Sequence, residues 1–156
     1  MKKFGQKGYN AAHEEMDQLH KQNCFTPILI ATMTASEKKK AMNSLIFLVE
    51  KRDRRIKART CANGSIQREW MTREESASPT AALESIMLTG VIDAIEERDV
   101  ATVDIPNAFI QTEVKTKDGE DRVIMKITGV LIDMLVQMNP ELYGPCVIYE
   151  KGRKVI

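Results

Sequence analysis

The sequence predicts a mixed α+β fold, and three observations support that prediction. Apolar residues recur at helical spacing in two segments, 10–23 and 78–97. Short apolar segments joined by charged or glycine-containing turns are typical of β-hairpins, and the chain contains two such pairs. Of the 156 residues, 43% are hydrophobic and 29% are charged, so the chain can bury a core and remain globular.

The first elements are predicted to be mostly helical. Residues 10–23 form an amphipathic pattern with acidic and basic side chains on the polar face. The short apolar stretch 28–30 is interpreted as a strand. One or two helical turns follow over residues 34–42, with Thr34 or Ser36 as the N-cap.

Residues 45–51 and 55–61 predict a β-hairpin. The bulky apolar run 45–49 is typical of a core strand. The stretch 51–59 holds six basic side chains and one acid. Because side chains alternate between the two faces of a strand, one face of the second strand is expected to carry three basic residues, Arg55, Lys57 and Arg59.

Two interpretations of this basic face are open. Charged side chains at the edge of a sheet protect it from aggregation. Alternatively, lysine and arginine neutralise phosphates, so the face can be a nucleotide or nucleic-acid surface.

A largely buried helix followed by a buried strand is predicted at the centre of the chain. Ser78 as N-cap and Pro79 at the first helical position begin the helix. It is expected to end near residues 97–99. Residues 100–104 then show a buried-strand pattern that breaks at Pro106.

Asp104 stands at the end of this predicted strand. A carboxylate is costly to bury unless a partner pairs with it or a metal binds it. It can cap the strand beside the turn, as aspartate often does. It can also be a metal ligand at the carboxyl end of a strand, where sites in α/β folds gather.

The C-terminal part is predicted to contain all three kinds of element. Residues 122–127 are interpreted as a strand, and residues 130–138 as a helix that ends at the Asn139-Pro140 pair. The segments 146–150 and 154–156 flank a Lys-Gly-Arg turn, which predicts a second hairpin.

Bulk properties exclude several classes of protein. The formal net charge is +1, so no global field points to nucleic acid. Three cysteines without zinc spacing and two histidines argue against a disulfide framework and a structural zinc, and favour reduced thiols in an intracellular protein. No apolar run approaches about 18 residues, so no membrane span is predicted.

Six stretches occur in an order that is specific as a set, although no single stretch is decisive. They are residues 12–19, 25–28, 45–51, 56–67, 77–80 and 103–109. The fourth contains Lys57-Ala58-Arg59, and the last has the pattern Asp-x-x-x-Ala-Phe beginning at Asp104. Over nearly its whole length the chain resembles the N-terminal part of a copia-type LTR retrotransposon reverse transcriptase, an RNA-directed DNA polymerase.

The resemblance implies a partial right-hand polymerase fold in a single domain. Residues of about 7–99 would be the fingers and first palm helix, and residues 100–156 the start of the palm. Asp104 would be a catalytic carboxylate that binds Mg²⁺ in a two-ion site, and the backbone carbonyl of Ile105 would bind one of the ions. Two such ions stabilise the attacking and leaving oxygens of nucleotidyl transfer.

The resemblance also implies contacts with substrates. Lys57 and Arg59 would lie near the phosphates of the incoming nucleotide, and Arg55 would join them in contacting nucleic acid. The backbone N–H groups of Asn107 and Ala108 would contact the triphosphate. The aromatic ring that blocks a ribose 2′-hydroxyl would be Phe109. An RNA template, a DNA primer and a deoxynucleotide are the implied partners, in a cytoplasmic virus-like particle.

The chain departs from the family in one respect that affects activity. The second carboxylate motif, Tyr-x-Asp-Asp, is absent from these 156 residues. We therefore expect a truncated element that does not polymerise DNA alone. The alternatives are a non-catalytic nucleic-acid-binding module that uses the basic hairpin 51–59, and a generic α/β domain in which Asp104 caps a turn.

Overall fold

The chain folds as a mixture of α-helices and short β-strands, as the α+β prediction expected. The computed structural model describes residues 3–76, 80–105, 107–108, 110–114 and 119–156, with the side chains of 75 and 76 left aside. Within those ranges the helices are α1 (Gly5–Lys21), α2 (Ala35–Lys40), α3 (Arg73–Ser76), α4 (Leu83–Ile95), α5 (Val130–Met138) and α6 (Pro140–Tyr143). The strands are β1 (Met42–Glu50), β2 (Ile56–Ala62), β3 (Met125–Lys126), β4 (Ile148–Glu150) and β5 (Arg153–Val155).

The elements divide into two units. The first combines Met1–Gln67 with Glu113–Ile156, and the second is Arg68–Thr112. All five strands belong to the first unit, which holds a three-stranded sheet in the order β2-β1-β3 and a two-stranded sheet of β4 and β5. The strands of the basic hairpin are therefore part of a larger sheet.

Strand β1 is the centre of the three-stranded sheet. It pairs with β2 in antiparallel register from Ser44↔Ala62 to Glu50↔Ile56, which confirms the predicted first hairpin. At its other edge it pairs in parallel with β3 through Met42. The strand predicted at 122–127 is shorter than expected, since regular pairing is confined to Met125–Lys126.

The second hairpin is also confirmed. Lys151 and Gly152 both adopt positive φ angles, 49° and 76°, the conformation of the two central residues in tight hairpin turns that suit the strand twist. Beyond β5, the backbones of Ile127 and Ile156 exchange hydrogen bonds of 2.8 and 3.1 Å. The end of the chain is thereby joined to the strand region before α5.

The core of the first unit lies between α1 and α5. Helix α1 begins at Gly5, earlier than predicted, and buries Ala12 and Met16 completely on its apolar face. Helix α5, confirmed over Val130–Met138, buries Ile132 and Met134 completely. Each of the larger side chains, Met16, Ile132 and Met134, contributes on the order of 1.5–3 kcal/mol through removal from water.

Helix α2 forms after the predicted N-cap Thr34. The prediction of a strand over residues 28–30 is wrong. Thr34 accepts a hydrogen bond from the Glu37 N–H in a reciprocal capping box. The stretch 28–30 leads instead into a single 3₁₀ turn, Ile30–Thr32. The Thr32 hydroxyl and N–H both donate to the Leu29 carbonyl, at 2.8 and 2.9 Å, and these local bonds replace pairing with another strand.

The predicted central helix exists as α4, but the prediction that it is buried is wrong. Its apolar side chains are exposed, from 38% at Ile92 to 77% at Ile95. In the described part of its own unit only the short helix α3 accompanies it, so there is no second long element to cover it. The predicted cap, Ser78 with Pro79, lies outside the described residues.

The predicted strand over residues 100–104 is also wrong. Residues 100–105 are irregular, and Val100 and Val103 are 70% and 78% exposed. A strand needs a hydrogen-bonded neighbour, and the pairings of the described residues all lie in the first unit.

Among the helices of the described ranges, none is both long enough and apolar enough to pass through a membrane.

Candidate functional site

The β1–β2 hairpin closes through a tight charged turn. The Lys51 N–H donates to the Arg55 carbonyl at 2.8 Å, and the Arg54 N–H donates to the Lys51 carbonyl at 2.9 Å. Arg54 has a φ of 64°, the left-handed conformation that such turns need. The turn fixes the register of both strands, and so decides which side chains share a face.

The inner face of the hairpin packs against α1. Ala58 is only 3% exposed, and the Thr60 hydroxyl lies 3.7 Å from the Met16 sulfur. The Thr60 N–H donates to the Glu15 carboxylate at 2.9 Å, so a side chain of α1 also satisfies part of the β2 backbone. Helix α1 therefore covers one face of the hairpin and leaves the other uncovered.

The outer face of the hairpin combines apolar and basic side chains in adjacent rows. Cross-strand partners share a face and have Cβ atoms about 5 Å apart. The register sets three pairs on the outer face, namely Leu45 with Cys61, Phe47 with Arg59, and Val49 with Lys57. The side chains of these six residues are exposed. We call these residues the outer hairpin face.

The apolar row corrects the prediction that residues 45–49 form a core strand. Leu45, Phe47 and Val49 are 38%, 52% and 56% exposed, whereas Ile46 and Leu48 alternate with them on the inner side. A continuous apolar run cannot show which of its alternate residues will be covered. The pairing of β1 with β2 identifies the exposed residues of the run. It places Leu45, Phe47 and Val49 beside Cys61, Arg59 and Lys57, on the face that carries the charged side chains.

Arg55 differs from the other two predicted basic residues. Its guanidinium contacts the Asp53 carboxylate at 2.6 and 2.7 Å, and its N–H donates to the same carboxylate at 3.1 Å. The hydrogen bonds from Arg55 lower the pKa of Asp53, and those to Asp53 raise the pKa of Arg55. Asp53 therefore offsets the charge of Arg55, while Lys57 and Arg59 lie beyond this ion pair on the outer hairpin face.

The remaining predicted site residues belong to the second unit. Asp104 and Ile105 are exposed in irregular backbone. Asn107 and Ala108 lie in a turn closed by the Ile110 N–H, which donates to the Asn107 carbonyl at 2.8 Å. Asn107 has a φ of 53°, a conformation that asparagine tolerates. Phe109 lies outside the described residues.

A two-ion magnesium site requires several converging oxygen ligands. Within the described ranges, no group of three or more histidine, cysteine, aspartate or glutamate side chains is arranged to hold a metal ion. Asp104, exposed in irregular backbone, is thus a single candidate ligand, and the residues described here do not fit a complete magnesium centre.

Comparison of the chain with protein-family models, with curated proteins and with solved structures yielded no match. Among the described residues, the outer hairpin face is the best-formed candidate site.

Proposed function

We propose that this chain is the fingers and first palm part of a copia-type reverse transcriptase, and that it contacts nucleic acid through the outer hairpin face. The observation that carries the proposal is the exposed placement of Lys57 and Arg59 on a face that α1 does not cover. The ordered motifs of the sequence support the family, and the α+β fold with its hairpin is compatible with it.

The electrostatics of the hairpin suit a polyanion. Glu50, the acid at the end of β1, alternates onto the inner side and pairs with Ile56. Asp53 is engaged with Arg55. The outer hairpin face therefore presents its two cations together, and the turn adds Lys51, Arg52 and Arg54 nearby. Phosphates bind such clusters with release of counterions, which makes the affinity depend on salt.

The catalytic part of the proposal concerns Asp104. In a complete polymerase the magnesium ions supply the electrostatic stabilisation of nucleotidyl transfer. Here Asp104 would provide one carboxylate, with Ile105 beside it, and Lys57 and Arg59 would bind phosphate. Because the chain lacks the Tyr-x-Asp-Asp motif, we expect it to bind substrate without extending a primer.

Salt-dependent binding to an RNA–DNA hybrid tests the nucleic-acid surface. Fluorescence anisotropy at several salt concentrations gives the slope of log affinity against log salt. The double variant Lys57→Ala/Arg59→Ala should weaken binding and reduce the slope by about 2, since each phosphate contact contributes about one unit. The matched control is Lys38→Ala/Lys39→Ala, which removes the same charge from exposed positions of α2. Equal effects of the two double variants would contradict a specific hairpin surface.

A non-catalytic nucleic-acid-binding module using the basic hairpin 51–59 is the second candidate. It is favoured by the exposed, irregular setting of Asp104. Isothermal titration calorimetry separates the two candidates when a deoxynucleotide is titrated into the chain in the presence of Mg²⁺. Binding that Asp104→Asn abolishes supports the polymerase fragment. Hybrid binding with no response to Mg²⁺ or to Asp104→Asn supports the module. Primer extension on a poly-rA template by this chain alone would contradict its expected inactivity.

A further inference from the structure

Helix α4 belongs to a unit whose described residues form no core. Of the described residues from Arg68 to Thr112, none is buried. The large apolar side chains of α4 are each 38–77% exposed, and they are Leu83, Ile86, Met87, Leu88, Val91, Ile92 and Ile95. A helix of 13 residues is marginal in water unless an apolar side of it packs against another surface. The apolar side of α4 therefore calls for an occupant.

Four of these side chains form a continuous row along α4, which we call the α4 ridge. Residues four positions apart lie one above the other on a helix. The members of the ridge are Leu83, Met87, Val91 and Ile95. The next row contains Gly90 and Ala94, and a Cβ added at Gly90 would meet nothing within 4 Å. A bulky row beside a row of small residues suits helix packing in which the ridge of each helix enters the groove of the other.

We propose that α4 is the contact surface of a homodimer, in which the α4 helices of two copies pack against each other in antiparallel orientation. A two-fold contact presents the same patch on both partners, so each copy supplies the apolar surface that the other lacks. The inference is independent of the proposed function, because its residues belong neither to the outer hairpin face nor to the segment around Asp104.

The exposed area is of the size that a weak specific contact needs. Each large apolar side chain presents on the order of 100 Å² to a partner, so the seven together present at most roughly 700 Å² per copy. A standard interface buries about 800 Å² per partner, and smaller interfaces belong to transient complexes. We therefore expect a dissociation constant of about 100 μM. Well below that concentration the chain is a monomer with α4 exposed.

Charge favours an antiparallel second copy over other occupants. The α4 ridge contains no charged residue, whereas acids gather at the C-terminal end of the helix. They are Asp93, Glu96 and Glu97, of which the first two form ion pairs with Arg98. In an antiparallel pair each acidic end lies beside a helix N-terminus that carries one acid, Glu84, and helix N-termini favour negative charge. A parallel pair, a nucleic acid or an anionic lipid surface would bring like charges together.

Sedimentation velocity of the full chain from about 10 to 500 μM, a range that spans the expected dissociation constant, tests the proposal. We expect the mass to rise from the 17.6 kDa of one chain towards twice that value. Val91→Ala/Ile95→Ala should weaken association at least tenfold, because it removes apolar area from the α4 ridge. Alanine is the best helix former, so unfolding of the helix would not explain the loss.

Ser85→Ala/Thr89→Ala is the matched control. Both residues are exposed on the side of α4 that faces away from the α4 ridge. The substitution also introduces two alanines, so it favours the helix in the same way and leaves the ridge intact. We expect this variant to associate as the unaltered chain does. Circular dichroism establishes that both double variants are folded.

Disulfide formation tests the orientation. In a Cys61→Ser background, which removes the exposed native thiol, a chain with Leu83→Cys is mixed with a chain with Ile95→Cys. An antiparallel pair brings position 83 of one copy to position 95 of the other. Oxidation should therefore link the two different chains in preference to two copies of the Leu83→Cys chain.

Contrary results are distinct from one another. A mass of one chain throughout the range, or equal weakening by the two double variants, would overturn the inference. Association that Phe47→Ala abolishes and Val91→Ala/Ile95→Ala does not would place the contact on the outer hairpin face and also overturn it. Disulfides mainly between two Leu83→Cys chains would contradict the antiparallel arrangement. Each of these outcomes leaves the binding of an RNA–DNA hybrid to be judged by its own test.

Discussion

Arg122 donates hydrogen bonds to both carboxylate oxygens of Glu37, although the two residues are 85 positions apart in the sequence. The distances are 2.6 Å from Nε and 2.9 Å from the terminal nitrogen. Glu37 also accepts the Thr34 N–H at 2.9 Å, and it is 3% exposed. The pair joins helix α2 to the segment before β3. Hydrogen bonds from the Arg122 guanidinium, and then from the Thr34 N–H, lower the pKa of Glu37 to about 2.

This lowered pKa predicts a pH dependence of stability. Because the carboxylate is favoured in the folded chain, its contribution is complete above the ordinary value of 4.5 and is lost as the pH falls towards about 2. Glu37→Gln should lower the urea midpoint at neutral pH. The difference in midpoint between this variant and the unaltered chain should narrow as the pH falls from 4.5 towards about 2. Glu14→Gln, at an exposed position of α1, is the control and should lower the midpoint little at any pH. A constant gap would contradict the assignment.

Two methionines test where the core lies. Met16 is fully buried between α1 and the hairpin, and Met87 in α4 is 65% exposed. Met16→Ala should lower the free energy of unfolding by about 2–5 kcal/mol, since it leaves a cavity. Met87→Ala should change it by less than about 0.5 kcal/mol. Urea denaturation followed by circular dichroism measures both. A large loss for Met87→Ala would mean that α4 is covered after all.

The hydrogen bond between Tyr143 and His20 is expected to contribute less to the free energy of unfolding than the buried Met16 side chain does. The Tyr143 hydroxyl lies 2.8 Å from the His20 Nδ1, and burial raises the pKa of that tyrosine. Tyr143→Phe removes the bond while keeping the ring, so unfolding should become easier by about 0.5–1.5 kcal/mol. Tyr149→Phe, at an exposed ring, should be neutral. Thermal denaturation of the two variants provides the comparison, and equal melting temperatures would argue against the bond.

The cysteines predict an order of chemical reactivity. Cys61 is exposed on the outer hairpin face, whereas Cys146 is buried and burial raises the pKa of its thiol. The thiolate is the reactive form, so iodoacetamide should modify Cys61 well before Cys146. Peptide mass spectrometry at successive times measures the order. If the outer hairpin face binds an oligonucleotide, its addition should slow labelling of Cys61, and labelling unaffected by a saturating oligonucleotide would place the ligand elsewhere.

Local patterns predicted most of the regular elements. The apolar spacing of α1 and α5, the Thr34 cap and the two hairpins all depend on neighbours in sequence, and each is observed. Two of the failed predictions share a cause. The strand predicted at 100–104 and the burial predicted for α4 both required partners from elsewhere in the chain, which an apolar pattern cannot specify.

By itself the sequence determined the α+β class, the hairpin, and the alternation that puts Lys57 and Arg59 on one face, because period-two geometry is a local property of a strand. Only the tertiary structure decided which face α1 covers, and hence that Phe47 is exposed opposite Arg59. It also decided that Glu37 meets Arg122, because a contact between residues 85 positions apart depends on how distant segments pack.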